Sequence, residues 1–175
     1  MTEEEIVRLI KAGETRRAFD LIVKCYAERL YWQARRMVIS HDDADDCVQD
    51  ALIRIWKALP NFRGDSSLYT WVFRIVTNVC ITFLNSRRSV NVEPDAAALI
   101  EAESDINAKA IQKSLHKAIA TLPPKQKAVF LLRYFEEMPY NQMAQVLETS
   151  EGALKASYHH AYEKVKAYVE KDIDI

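Results

Sequence analysis

Three glycines and five prolines in 175 residues supply too few tight turns for a β-sandwich or barrel. Three cysteines, Cys25, Cys47 and Cys80, are odd in number and widely spaced. That excludes a disulfide framework and offers no metal-ligand spacing. Each lies in an apolar-periodic stretch, so all three read as small buried hydrophobes in a reducing compartment. No apolar run approaches the roughly 20 residues that cross a bilayer. The opening Met1-Thr-Glu-Glu-Glu has neither the basic nor the apolar region of a secretory signal. These absences predict a cytoplasmic protein with no direct membrane contact. A Gly-rich phosphate loop, a nucleophile elbow and a Ser-His-Asp set are missing too. No enzyme, catalytic residue, cofactor or metal is therefore expected.

The residues that are present favour helix. Hydrophobic residues make up 49% and charged residues 28%, the balance of a globular protein, and Ala, Leu, Lys, Arg and Glu are plentiful. The net charge of −1 hides an uneven distribution. Met1–Arg88 carries 14 Lys/Arg against 12 Asp/Glu, Ser89–Asp105 none against 5, and Ile106–Ile175 10 against 8. Two mildly basic blocks thus flank a wholly acidic bridge, where periodicity lapses and Pro94 interrupts. A solvated linker is the plain reading. The fold class expected is all-α, with two small helical domains, 1–88 and 106–175, joined by an acidic linker at 89–105.

Apolar spacing predicts helices over Glu3–Lys11, over Thr15–Ser40 as one or two pieces, and over Asp43–Leu59, with His41-Asp42-Asp43 as punctuation. Pro60 ends the third. Residues 61–66 form a loop, and Ser66 or Ser67 caps a helix running to Arg87. Beyond the bridge come Ile106–Ala120, Pro123–Phe135, Tyr140–Leu147 and Ser150–Lys171. The last two, broken by Glu148-Thr149-Ser150, have the form of a helix-turn-helix, with Ala144 and Gly152-Ala153 as the small residues at the crossing. Met143, Leu147, Leu154, Tyr158, Ala161 and Val165 form its seam. Glu151, Lys155, Ala156, Ser157, His159 and His160 stay outside, where a helix can enter a major groove. An ordinary helical hairpin shows the same pattern. Lys125, Lys127, Arg133, Lys155 and Lys164 offer few phosphate contacts, so this block alone should hold DNA weakly.

In the first block Asp45, Asp46, Gln49, Asp50, Ile53, Arg54 and Lys57 face away from the stripe Ala44, Cys47, Val48, Ala51, Leu52 and Ile55. This is a solvated face or a docking face for a partner helix; a metal site at His41 is a third reading. Next, Phe62-Arg63-Gly64-Asp65-Ser66-Ser67-Leu68-Tyr69-Thr70-Trp71-Val72-Phe73-Arg74 interleaves aromatic and basic residues around a glycine. Unpaired bases stack on aromatics and guanidinium groups hold their phosphates, and a base can be flipped into such a loop. Equally, Tyr69, Trp71 and Phe73 can be core residues of the following helix; the core reading is preferred for Phe73 and extends to Trp71.

These stretches match a known family. Asp43-Ala-Asp-Asp-Cys-Val-Gln-Asp-Ala-Leu-Ile-Arg-Ile-Trp-Lys-Ala-Leu and Asn61-Phe-Arg-Gly-Asp-Ser-Ser-Leu-Tyr-Thr-Trp-Val-Phe-Arg-Ile-Val-Thr-Asn resemble region 2 of the extracytoplasmic-function sigma factors. Leu122-Pro-Pro-Lys-Gln-Lys-Ala-Val-Phe-Leu-Leu-Arg-Tyr-Phe-Glu, Tyr140-Asn-Gln-Met-Ala-Gln-Val-Leu and Ser150-Glu-Gly-Ala-Leu-Lys resemble region 4. The resemblance implies a factor that lends core RNA polymerase its promoter specificity. Asp46, Gln49, Asp50, Ile53 and Arg54 then match the face that docks on the β′ coiled coil, with the β subunit as a further contact. Phe62, Arg63, Gly64, Asp65, Ser66, Tyr69, Trp71, Arg74 and Asn78 match the segment that captures the melted −10 strand of promoter DNA. Arg133, Ser150, Glu151, Lys155, Ser157 and His159 fall where the family reads the −35 element. The acidic linker resembles the segment threading toward the polymerase active centre. Family members are commonly held by an anti-sigma factor, often membrane-bound. Where members often carry Lys-Ser-Arg-Leu-His-Arg-Ala-Arg, this chain has Lys155-Ala-Ser-Tyr-His-His-Ala-Tyr, and Glu148 replaces the turn glycine. A stand-alone helix-turn-helix regulator is the rival reading. It predicts a dimer and leaves the Asp46–Trp56 face without a purpose.

Overall fold

The computed structural model describes residues 2–87 and 106–173, and all regular structure among them is helical. The predicted acidic linker lies outside the described residues. Eight α-helices are found there: α1 Glu3–Lys11, α2 Thr15–Val38, α3 His41–Ala58, α4 Leu68–Arg87, α5 Ile106–Ala120, α6 Pro124–Tyr134, α7 Tyr140–Leu147 and α8 Glu151–Asp172. A short 3-10 turn, Leu59–Asn61, closes α3 at Pro60.

α1 places Glu3, Glu4 and Glu5 in its first turn and Arg8 and Lys11 in its last, a match to the helix dipole. α2 is one continuous helix. It buries Ala18, Ile22, Leu30, Ala34, Met37 and Val38 and stops where Ile39 takes φ 71°. α3 starts earlier than periodicity suggests, because the Ser40 hydroxyl accepts from the Asp43 amide at 3.4 Å. That cap turns His41-Asp42-Asp43 from a break into the first helical turn. Across the bundle, both Asp43 oxygens accept from Arg87, at 2.7 and 3.1 Å, so the start of α3 is tied to the end of α4.

At the start of α4, the Ser67 hydroxyl accepts from the Thr70 amide at 3.0 Å. Glu3, 65 residues earlier, accepts from the Leu68 amide at 2.6 Å. Ser67 is thus the cap, and a distant carboxylate satisfies a further orphan donor. α1 to α4 pack on one another around Ile22, Leu30, Met37, Ile55, Leu68, Phe73 and Val76. α5 and α6 pack on α8 around Ile119, Phe130, Leu131 and Leu132. α4 also meets α6 and α7, and α2 meets α6, so the buried residues of both halves form one contiguous core.

Three sequence expectations need correction. Cys25 is exposed, and only Cys47 and Cys80 are buried; α2 turns Cys25 outward, a face that apolar spacing alone misassigned. Lys127 reaches no phosphate-accessible surface. It is 4% exposed and donates to the Met37 carbonyl at 3.2 Å, near the electronegative end of α2. Gly152 is not a crossing point, since a Cβ built there meets nothing within 4 Å. The α7–α8 seam instead uses Met143, Leu147, Leu154, Ala161 and Val165, all buried, with Tyr158 half-buried.

Candidate functional site

Three surfaces carry the residues singled out from sequence. On α3 the inner positions Ala44, Cys47, Ala51 and Ile55 are buried, which turns Asp46, Gln49, Ile53 and Arg54 outward, with Asp50 half-exposed. Arg54 pairs with Asp50 one turn earlier at 3.0 Å. Ile53 is 53% and Trp56 43% exposed, an apolar pair at i, i+3 inside a charged rim. Trp56, edge-on to Phe19 at 5.2 Å, belongs to this face, and its i+3 spacing from Ile53 could have revealed it. His41 Nδ1 lies 2.6 Å from the Tyr31 hydroxyl and its Nε2 3.4 Å from Asp45. No group able to hold a metal ion occurs among the described residues.

The second surface is the loop before α4 and the first turns of that helix. Gly64 adopts φ 80°, where a side chain is disfavoured, and turns the loop back over α4. Arg63, Gly64 and Asp65 are exposed and Ser66 half-buried. Phe62 packs on Trp71 with ring centroids 5.1 Å apart. Phe73, two residues on, is fully buried, so it belongs to the core while half-buried Trp71 faces the loop. Arg74 and Asn78 are exposed one and two turns further along α4. A cleft of about 440 Å³ runs beside the loop, lined by Phe62, Arg63, Trp71 and Arg74 on one wall and by Ala144, Gln145 and Glu148 of α7 and its end on the other.

That second wall comes from the C-terminal half. Arg74 pairs with Glu148. Glu136 accepts from Arg29 at 2.7 Å and from the Tyr69 hydroxyl at 3.1 Å. Arg29 also donates to Tyr69 at 3.1 Å and stands 4.7 Å above its ring. Burial first, and then the Glu136 carboxylate, push the Tyr69 phenol above its ordinary range, so Tyr69 stays a donor. The Arg36 guanidinium lies 4.3 Å over Phe135, and burial lowers its pKa. Sequence inspection singled out neither Arg29 nor Glu136, which lie 107 residues apart.

The third surface is α8. Ser150 caps it by accepting from the Ala153 amide at 3.3 Å. Glu151, Lys155 and His159 project outward, and Ser157 is half-buried. Arg133 reaches the same end: it donates to the Met138 carbonyl at 3.2 Å and lies 4.8 Å over Tyr140. Lys155 stands 5.6 Å from the same ring. One aromatic ring therefore gathers two cations beside the start of α8.

Comparison with known proteins agrees with this layout. The family models for Sigma-70 region 2 and Sigma-70 region 4 match residues 22–90 and 112–165. The RNA polymerase sigma-H factor of Pseudomonas aeruginosa is 30% identical, over 93% of this chain and 91% of its own. The ECF RNA polymerase sigma-E factor of Escherichia coli K12 is 27% identical, over 94% and 93%. Among solved structures, CnrH in complex with the cytosolic domain of CnrY superposes with a TM-score of 0.70 at 26% identity, covering 94% of this chain and 97% of CnrH. The sigma factor RpoE of Bartonella quintana, in complex with the anti-sigma factor NepR, gives 0.72 at 22%, covering 87% and 96%. These relatives are regulatory subunits of the polymerase rather than enzymes. No helix among the described residues is long and apolar enough to cross a membrane. The match of both region models in order, with a 30% identical relative spanning nearly the whole chain, shows that the protein belongs to the extracytoplasmic-function RNA polymerase sigma factors, which direct promoter-specific transcription initiation.

Proposed function

We propose that the three surfaces perform three separate parts of initiation. The outer face of α3 (Asp46, Gln49, Asp50, Ile53 and Arg54, with Trp56) docks on the β′ coiled coil of core polymerase, while the β subunit takes further contacts. Phe62, Arg63, Gly64, Asp65, Ser66, Tyr69, Trp71, Arg74 and Asn78 capture the unpaired −10 strand. Arg133, Ser150, Glu151, Lys155, Ser157 and His159 read the −35 element. The functional units are 1–88 and 106–175, with 89–105 as the tether. Such tethering raises effective concentration, so each unit can bind weakly alone. The chain performs no catalysis and acts in the cytoplasm. The likeness to CnrH held by CnrY supports a protein inhibitor for this chain as well.

One observation carries the reading: the half-buried Phe62 and Trp71 rings in contact beside the loop, with Arg63 and Arg74 lining the same cleft. Single-stranded nucleic acid needs this pairing of aromatic platform and cation. The test is run-off transcription by purified core polymerase on genomic fragments, with wild-type chain and with Asp50→Arg. Wild type gives discrete promoter starts. Asp50→Arg, which reverses one charge on an exposed face, loses co-elution with core polymerase and all starts while keeping its thermal midpoint. A wild-type chain that does not co-elute with core polymerase refutes the assignment.

A further inference from the structure

The turn of α4 that carries Tyr69 and Trp71 opens with backbone amides that have no partner within the helix. Their acceptors can be followed one by one. The Leu68 amide donates to Glu3 Oε1 at 2.6 Å, and the Tyr69 amide to Glu3 Oε2 at 3.5 Å. The Thr70 amide donates to the Ser67 hydroxyl at 3.0 Å, and the Trp71 amide to the Ser67 carbonyl at 3.0 Å. One local residue and one carboxylate from α1 therefore satisfy the whole turn.

That carboxylate is itself held in place. The Tyr26 hydroxyl of α2 hydrogen-bonds Glu3. Burial first, and then the Glu3 charge, push this phenol up to about 12, so Tyr26 remains a donor. Its ring lies 6.3 Å from that of Tyr69. Buried Ile6, Leu9 and Ile10 anchor α1 below, and Glu3 reaches α4 from a fixed base. This helix lies ahead of the residues matched to region 2, 22–90, and contributes to none of the three surfaces described above. Free amides at a helix start attract anions. Here the chain's own carboxylate fills that place, so the amides fix the helix start and leave no seat for a DNA phosphate.

We infer that Glu3 is a positioning residue for strand capture. By holding the Leu68 and Tyr69 amides it sets where α4 begins, and hence where Tyr69 and Trp71 stand against the loop that precedes them. Its action passes through those amides and not through contact with DNA. The inference rests on the capture role proposed above for Tyr69 and Trp71.

The experiment uses the full chain reconstituted with core polymerase, as wild type, Glu3→Ala, Glu3→Gln and Glu4→Ala. Glutamine keeps an oxygen for the Leu68 amide. Glu4→Ala removes the same charge from the first turn of α1, at an exposed position. Fluorescence anisotropy of a labelled promoter-strand oligonucleotide reads capture. Co-elution with core polymerase and binding of duplex carrying the −35 element report on the rest of the molecule. Glu3→Ala should bind the strand about tenfold more weakly, the loss for a face correctly built one-tenth of the time. Its co-elution and duplex binding should stay at wild-type values. Glu3→Gln should recover most of the loss, and Glu4→Ala should show none. Wild-type strand affinity in Glu3→Ala overturns the inference. So does equal weakening of strand, duplex and core binding, the mark of a residue needed only for the fold. Tighter strand binding overturns it too, since the freed amides are then a phosphate seat. Trp71→Ala, run alongside, separates the two readings. Intact strand affinity in Trp71→Ala removes the capture assignment and this inference with it. Loss there and none in Glu3→Ala leaves capture standing and removes Glu3 alone.

Discussion

Trp71 and Phe73 lie two residues apart on α4, both aromatic, one half-buried beside a loop and the other sealed in the core. Truncating each to alanine should therefore separate function from folding. Phe73→Ala removes a fully buried ring and leaves a cavity, at a cost of about 3–5 kcal/mol. For a chain of this size that lowers the thermal midpoint by about 6–20 °C. Trp71→Ala removes a ring whose main neighbour is Phe62. Its effect on the midpoint should be a small fraction of that. On single-stranded DNA the order reverses: losing one stacking platform costs about 1–3 kcal/mol, or about 5- to 160-fold in Kd. Circular dichroism melts and anisotropy with a promoter-strand oligonucleotide, both on the reconstituted holoenzyme where DNA is involved, give the two numbers. Permanganate reactivity of unpaired thymines should fall in parallel. If Trp71→Ala lowers the midpoint as much as Phe73→Ala, or leaves strand affinity intact, Trp71 is a core residue and the proposed capture site is wrong.

Other outcomes can be stated from the same geometry. Lys155→Ala should weaken binding of duplex carrying the −35 element and reduce the slope of log K against log salt by about 0.9, one phosphate's worth of counterions; an unchanged slope removes Lys155 from the interface. His116, 7% exposed and stacked on Phe135, is held below the ordinary histidine pKa by burial, then by Arg36 and Arg35. Its neutral form is the one that fits the folded chain. Stability linked to it is complete above about pH 6.5, where the unfolded group begins to protonate, and is lost as pH falls further. His116→Phe should make the melting midpoint less sensitive between pH 7.5 and 5.5. An equal pH dependence in both proteins counts against this.

Much of the fold is written in local spacing. The 3.6-residue stripe of α3 separates its buried and outward residues without any knowledge of neighbours, and Pro60 and Ser150 mark a stop and a start that the structure keeps. Short-range capping is harder to read, since Ser40 had to be recognised as a cap before His41 could be seen as helical. The helix-turn-helix seam was legible, but Gly152 was given a steric role that its open surroundings deny. Whether Trp71 or Phe73 faced the loop could not be settled by composition, because both are aromatic and their burial depends on which helices cover α4. Least legible were the bonds across the halves. Lys127 to Met37 spans 90 residues and Arg29 to Glu136 spans 107. No periodicity carries such a pairing; only the assembled bundle brings those groups within reach.

The character of the seam between the halves has a bearing on how such a molecule can live in solution. Its specific contacts are largely ionic or cation-on-ring: Arg29, Arg36, Arg74 and Lys127 against Glu136, Glu148, Phe135 and a carbonyl. Groups of that kind exchange a protein partner for water with modest net change. Beside these contacts α4 packs on α6 and α7, and the apolar residues of both halves join in one buried cluster, so parting the two bundles would uncover oily surface as well. The halves are held by greasy contact as well as by charge, and added salt should loosen only the second of these.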